Sequence, residues 1–234
     1  MSRQHDWKEI WEAKGRRSGD APYVTNGYDM LDAESWERMI DALVAPLRLA
    51  PGMNVVELGC GAGTFLASLR RREPGIGVAG IDYAASLVEL ARQRLPGNFS
   101  VGDICDCPGV ATASVDLACS FGVLLYLDSE ADVRRAIAEL DRVTKPRGQI
   151  YIGEISDAAK IDAAMARRKA THAHRDWLSP KQLDHLYLPQ ELFVAEAQRL
   201  GWERTRIVSH HEIPGLESGP ASDYRFSVYA QKRA

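Results

Sequence analysis

In the stretch NVVELGCGAGTFL, Asn54 to Leu66, the acid Glu57 closes an apolar, β-branched run, and glycines follow at 59, 61 and 63. Glycine has no Cβ, so glycines spaced this way let a backbone turn come close to a ligand. A dinucleotide fingerprint, G-x-G-x-x-G, needs its third glycine where this chain carries Thr64 or Leu66, so both registers fail. A P-loop fails too, because no Lys-Ser or Lys-Thr follows the glycines. A carboxylate at Glu57 would repel a pyrophosphate and favour a ligand with positive charge, such as an ammonium or a sulfonium.

Two further acids end strand-like runs. Asp82 ends GVAGID, 25 positions after Glu57, where a carboxylate can accept both hydroxyls of a ribose. Asp103 ends NFSVGD and precedes Ile104, a pairing suited to an adenine amino group and its ring face. Acids at three successive strand ends would share the carboxyl edge of a sheet, where ligands of open α/β sheets bind.

The elements that must hold these residues are legible as a pattern. Strands are expected at Asn54–Leu58, Val78–Asp82, Phe99–Asp103, Val115–Ser120 and Gln149–Ile155. Helices are expected between them, at Gly63–Arg72, Ala84–Leu95, a short one near Cys105–Ala111, and Ser129–Thr144. Alternation of this kind implies a parallel sheet covered on both faces. Before it lie two helices, at residues 5–14 and 33–48; after it come a polar stretch at 156–188 and a helix at Pro189–Leu200. The runs Thr205–Ile213 and Tyr224–Gln231 have no crossover helix between them, so they must pair antiparallel. The expectation is an α/β, Rossmann-like doubly wound sheet of seven strands, parallel with an antiparallel C-terminal hairpin. It forms one domain over 1–234, with residues 1–48 and 156–188 capping an acceptor region.

With these motifs in order, the chain resembles a class I S-adenosylmethionine-dependent methyltransferase of the small-molecule type. Glu57 to Gly63 matches the family's first motif, Asp82 its ribose-binding acid and Asp103-Ile104 its adenine contact. CSFGVLLYL resembles the fourth-strand motif, and VTKPRGQIYIGEI the lead into the fifth. The likeness covers roughly residues 50–155. The flanks WKEIWEAKG and SDYRFSVYAQK are more loosely similar to a bacterial subgroup linked to surface-polysaccharide or natural-product pathways. The resemblance implies S-adenosyl-L-methionine held by Glu57, Gly59, Cys60, Gly61, Gly63, Asp82, Tyr83, Asp103, Ile104 and Phe121, with Tyr28 closing over its methionine end. It also implies methyl transfer by in-line displacement, most readily to a hydroxyl oxygen of a sugar or natural-product intermediate. The alternatives are nitrogen or carbon methylation, a nucleotide-dependent oxidoreductase, and a non-catalytic module that binds the cofactor.

A hydroxyl or protonated amine acceptor needs a base. Candidates near the fourth and fifth strand ends are Tyr126, Glu154 and Asp157, then His172 and His174 in THAHRDW. The competing reading of His172 and His174 is a solvated surface pair. His185 reads as a packed or lining residue, and Trp7 and Trp11 as core or lid. Tyr224 and Arg225 either bind an anionic or hydroxylated acceptor or, on an edge strand, are simply solvated. No metal is expected, because no acidic pair at ligand spacing accompanies the histidines, and His210 and His211 on a strand would face opposite ways.

Composition agrees with this reading. With 234 residues, 29 Lys+Arg against 32 Asp+Glu and a net charge of −3, the chain has no concentrated basic face, so no nucleic-acid partner is expected. SFGV follows the fourth strand in place of an Asn-Pro-Pro-Tyr or Asp-Pro-Pro-Tyr, which points away from nucleobase amino groups. The four cysteines form no C-x-x-C pair, and no segment nears 18 continuous apolar residues. A cytoplasmic protein with no membrane partner is the expectation, as a monomer or a homodimer.

Overall fold

The computed structural model describes residues 3–17, 21–28, 31–172, 185–217 and 221–234. Seven strands form one sheet: β1 (Asn54–Leu58), β2 (Gly77–Asp82), β3 (Asn98–Val101), β4 (Val115–Phe121), β5 (Thr144–Ser156), β6 (Glu203–Ser209) and β7 (Arg225–Gln231). Their order is β3-β2-β1-β4-β5-β7-β6. The pairs from β3 to β5 are parallel, and β7 runs antiparallel to both β5 and β6. Strand order reverses between β1 and β4, which opens a crevice at the carboxyl edge.

The helices that follow the strands are α4 (Thr64–Arg72), α5 (Ala85–Arg94), α6 (Glu130–Val143), α7 (Ile161–His172) and α8 (Gln190–Leu200), preceded by α1 (Arg3–Gly15), α2 (Pro22–Thr25) and α3 (Ala33–Val44). In α6, Ser129 caps the N-terminus by accepting from the Asp132 amide, and Val133, Ile137, Leu140 and Val143 are all buried. That is the 3.6-residue stripe the sequence predicts. α8 closes on Gly201 at φ 69. The side chains of α6 and α8 pack on one face of the sheet, and those of α3, α4 and α5 on the other. All four cysteines are buried as free thiols.

Three segments differ from the sequence expectation. Residues 105–111 make turns instead of a helix: the Asp103 carboxylate accepts from the Cys105 amide at 2.9 Å, and Pro108-Gly109 follows. An aspartate bonded to the backbone two residues on is an Asx-type turn that competes with a helix. β3 likewise stops at Val101, so Asp103 stands in a bridge with Asp106 beyond the strand. The run ending at Ile213 leaves the sheet at Ser209, and His210–Glu212 form a 3₁₀ turn. His210 is therefore buried and His211 exposed for reasons of the turn, not of strand alternation. β7 is an interior strand, so Arg225 is not on an edge and is not solvated.

Candidate functional site

The glycine turn after β1 is pinned before any ligand arrives. The Gly59 and Cys60 amides donate to the Ile81 carbonyl at 2.7 and 3.0 Å, which lashes the turn to β2. Gly59 has φ 85 and Gly61 φ 50. A Cβ on Gly59 would run into Val123, and one on Gly61 would lie 2.9 Å from the Asn26 side-chain oxygen. Both positions combine left-handed backbone with no room for a side chain.

Asp82 completes the turn. One carboxylate oxygen accepts from the Gly61 amide at 2.8 Å and the other from the Ala84 amide at 2.9 Å. Burial raises its pKa to about 6, against the opposing effect of those hydrogen bonds. Glu57 is buried, and burial followed by the nearby Asp82 charge pushes its carboxyl well above the ordinary range. Its Oε2 finds no hydrogen-bond partner among the described residues, and neither does the buried Tyr83 hydroxyl. Buried polar atoms without partners are rare and call for an explanation. Asp103 stands at the next strand end with Ile104 buried beside it.

The N-terminal segment lies over this crevice. Asn26 accepts from the Ala62 amide at 3.1 Å, and the Thr64 hydroxyl donates to the Pro22 carbonyl at 3.0 Å. Glu12 of α1 accepts from the Ala85 amide at 2.6 Å and the Ser86 amide at 3.2 Å, so it caps α5 from another helix. Tyr28 packs against Trp36 and Phe121, with ring centroids 4.9 and 5.8 Å apart. Tyr126 sits in a turn just past β4 among Trp7, Trp11 and His185, at centroid distances of 4.7, 5.2 and 5.3 Å.

At the end of β5, Glu154 adopts φ 61, and the β5–β7 register skips between Ile152 and Ile155 around it. Its carboxylate pairs with Arg225 at 2.5 Å and accepts from His210 Nδ1 at 3.2 Å. Burial alone would raise its pKa, but the Arg225 charge and the His210 hydrogen bond hold it at about 2. His210 Nε2 lies 2.9 Å from the Ser227 hydroxyl. The structure thus brings Glu57, Gly59, Cys60, Gly61, Gly63, Asp82, Tyr83, Tyr28, Phe121, Tyr126 and Glu154 to one crevice. His172 ends α7 with its side chain outside the described residues, and His174 lies wholly outside them. Among the described residues no group of three His, Cys, Asp or Glu could hold a metal ion, and no helix is long and apolar enough to cross a membrane.

Sequence reasoning missed Asn26 and Glu12, and weighed His210 only as a metal ligand on a strand. The Asn26-Gly27 dipeptide is a turn signal that could have drawn attention to the first. Glu12 and His210 act across long sequence separations and carry no local mark.

A doubly wound sheet with an antiparallel last strand, a glycine turn and acids along its carboxyl edge defines a nucleoside-binding α/β enzyme fold. Residues 56–152 match the family described as a methyltransferase domain, which supports a class I S-adenosylmethionine-dependent methyltransferase. It is 39% identical over 209 residues to an uncharacterised 37.1 kDa protein of a Streptomyces fradiae transposon, covering 77% of this chain and 58% of that one. It is 27% identical over 199 residues to a malonyl-[acyl-carrier protein] O-methyltransferase of Pectobacterium atrosepticum, covering 85% of this chain and 70% of the relative. The chain therefore spans little more than half the length of the first of these. Its fold is also that of a Haemonchus contortus phosphoethanolamine N-methyltransferase, at a TM-score of 0.73 and 16% identity over 99% of this chain and 49% of that one.

Proposed function

We propose that this chain transfers a methyl group from S-adenosylmethionine to an oxygen of a small-molecule acceptor. The observation that carries the reading is the buried Glu57 carboxyl, its Oε2 unpartnered, at the foot of a turn that a Cβ would block. Such an atom is suited to an ammonium group, and the Tyr83 hydroxyl offers a second unpaired atom to the same ligand. The cofactor supplies an activated methyl on a sulfonium, whose charge disperses as the acceptor attacks. Asp82 and Asp103 orient the nucleoside through its hydroxyls and amino group, Ile104 covers its ring, and Cys60 and Gly63 shape the turn. Tyr28 and Phe121 exclude water above it, so alignment and desolvation carry most of the rate.

Acceptor on oxygen is supported by relatives named malonyl-[acyl-carrier protein] and ubiquinone-biosynthesis O-methyltransferases. Glu154 is a poor base at neutral pH because its proton leaves near pH 2. The base for a hydroxyl acceptor is therefore assigned to His172 or His174, with Tyr126 orienting the acceptor. The described parts of residues 1–48 and 156–188 form the cap over that acceptor, and a cytoplasmic setting suits the chemistry.

The test is calorimetric titration with S-adenosylmethionine, S-adenosylhomocysteine and NAD, followed by a screen for +14 mass products among sugars, phenols and amines. Binding of the first two and not the third, with a methylated oxygen among the products, supports the reading. Binding of NAD alone would overturn it. Alanine at 172 and 174, singly and together, removes the base assignment if the rate stays unchanged at every pH.

A further inference from the structure

The Glu154–Arg225 pair lies outside the work given to the glycine turn, and its geometry is lopsided. Only NH1 of Arg225 engages Glu154, donating to Oε2 at 2.5 Å and to the backbone carbonyl at 3.3 Å. The Nε–H is buried and has no partner among the described residues. A guanidinium that served only to neutralise Glu154 would present its two-pronged edge to the carboxylate. Here the Nε–H is left without a partner.

The pair also sits where an acceptor must come. Arg225 opens β7 opposite Ser156, at the carboxyl edge of the sheet. A Cβ on Gly122, at the end of β4, would lie 2.7 Å from the Tyr28 hydroxyl and 3.8 Å from the Glu154 Cβ, so these groups meet at one point. The Arg225 charge reaches the Tyr28 and Tyr126 hydroxyls as well. The acids that suit the nucleoside lie at β1, β2 and beyond β3, on the other side of the reversal in strand order. Glu154 itself is held in left-handed backbone inside a register skip, strain of the kind that persists at ligand sites.

We propose that the unpartnered Nε–H of Arg225 binds a carboxylate of the methyl acceptor, with Glu154 and His210 as positioning residues that fix the guanidinium. The proposal rests on the methyltransferase reading and names its substrate class: a small carboxylic acid. Since Glu154 already offsets part of the Arg225 charge, the site suits a singly charged carboxylate better than a phosphate dianion. The carboxylate is either the oriented handle of a hydroxy acid or itself the nucleophile. In the second case one oxygen bonds the methyl carbon, the sulfur–carbon bond breaks with its electron pair kept on sulfur, and no proton moves.

The test uses the full chain saturated with S-adenosylhomocysteine, titrated at constant ionic strength with benzoate, malonate and succinate, with their amides, and with inorganic phosphate. At least one carboxylate is expected to bind saturably where its amide does not. Arg225→Lys keeps a charge opposite Glu154 but removes the planar edge, and is expected to weaken that binding about ten-fold or more. If Arg225→Lys does not fold, the pair Glu154→Gln with Arg225→Gln, which leaves no lone buried charge, must show the same loss. The proposal is overturned if no carboxylate outdoes its amide, if phosphate binds in its place, or if the folded variant binds the carboxylate as the wild type does. It is also overturned if the variant loses S-adenosylhomocysteine but keeps methylthioadenosine, because Arg225 would then hold the carboxylate of the cofactor. Failure of the wild type to bind S-adenosylhomocysteine at all is a separate result, and it overturns the methyltransferase reading.

Discussion

Two buried glutamates near the same sheet edge are driven in opposite directions, and the contrast separates their roles. Glu57, buried beside another acid, is pushed up; Glu154, between Arg225 and His210, is held at about 2. Glu57→Gln removes a carboxyl that burial disfavours in its charged form, so the free protein keeps its stability at pH 8. The same variant is expected to bind S-adenosylmethionine about ten-fold more weakly or worse, by calorimetry, because the amide cannot answer an ammonium with charge. For Glu154 the folded pKa lies below the ordinary value of about 4.3. Its contribution is therefore complete above pH ~4 and lost as pH falls toward about 2. The loss is on the order of 3 kcal/mol, and Glu154→Gln should flatten the acid limb of the stability curve measured by denaturant unfolding. A wild-type curve with no decline between about pH 4 and 2 would contradict the pairing.

At the scale of elements, the N-terminal helix is fastened to the site by one side chain. Glu12 closes the first turn of α5, and Gly15 lets α1 approach so closely that a Cβ there would lie 2.8 Å from the Ser86 Cβ. Glu12→Ala should lower stability by about 1 kcal/mol, the usual effect of losing a helix cap. Amide exchange over residues 3–15 should quicken with it, and unchanged exchange would refute the fastening. None of this was legible beforehand. Periodicity and breakers placed all seven strands, because buried parallel strands are short apolar runs between helices of clear period. They did not foresee that the Asp103 side chain would bend the following residues into turns, nor that His210 would leave the sheet to reach Glu154. Both outcomes are set by side-chain bonds, one local and one spanning the fold, that a hydropathy pattern does not contain. In the candidate site, Gly59, Gly61 and Asp82 were readable because the turn's own backbone requires them. The Asn26 and Arg225 contacts depend on where distant segments settle.

For the molecule as a whole, a ligand that binds only the folded state adds stability by mass action. S-adenosylhomocysteine at a hundred times its dissociation constant should contribute about 2.7 kcal/mol. For a chain of this size that is a rise in Tm of roughly 5–10 °C, read by calorimetry. Chelators should leave both this shift and the activity intact, and a loss on chelation would require a metal site. The sequestered sulfhydryls carry a practical corollary. Cys60, Cys105, Cys107 and Cys119 are each at most 7% accessible, so a maleimide meets none of them until the chain opens. Alkylation then becomes a clock for breathing of the fold, with Cys60 inside the glycine turn ticking separately from Cys107 on the far face. An added surface cysteine, at Val101 for example, would be the fast-reacting handle for a dye.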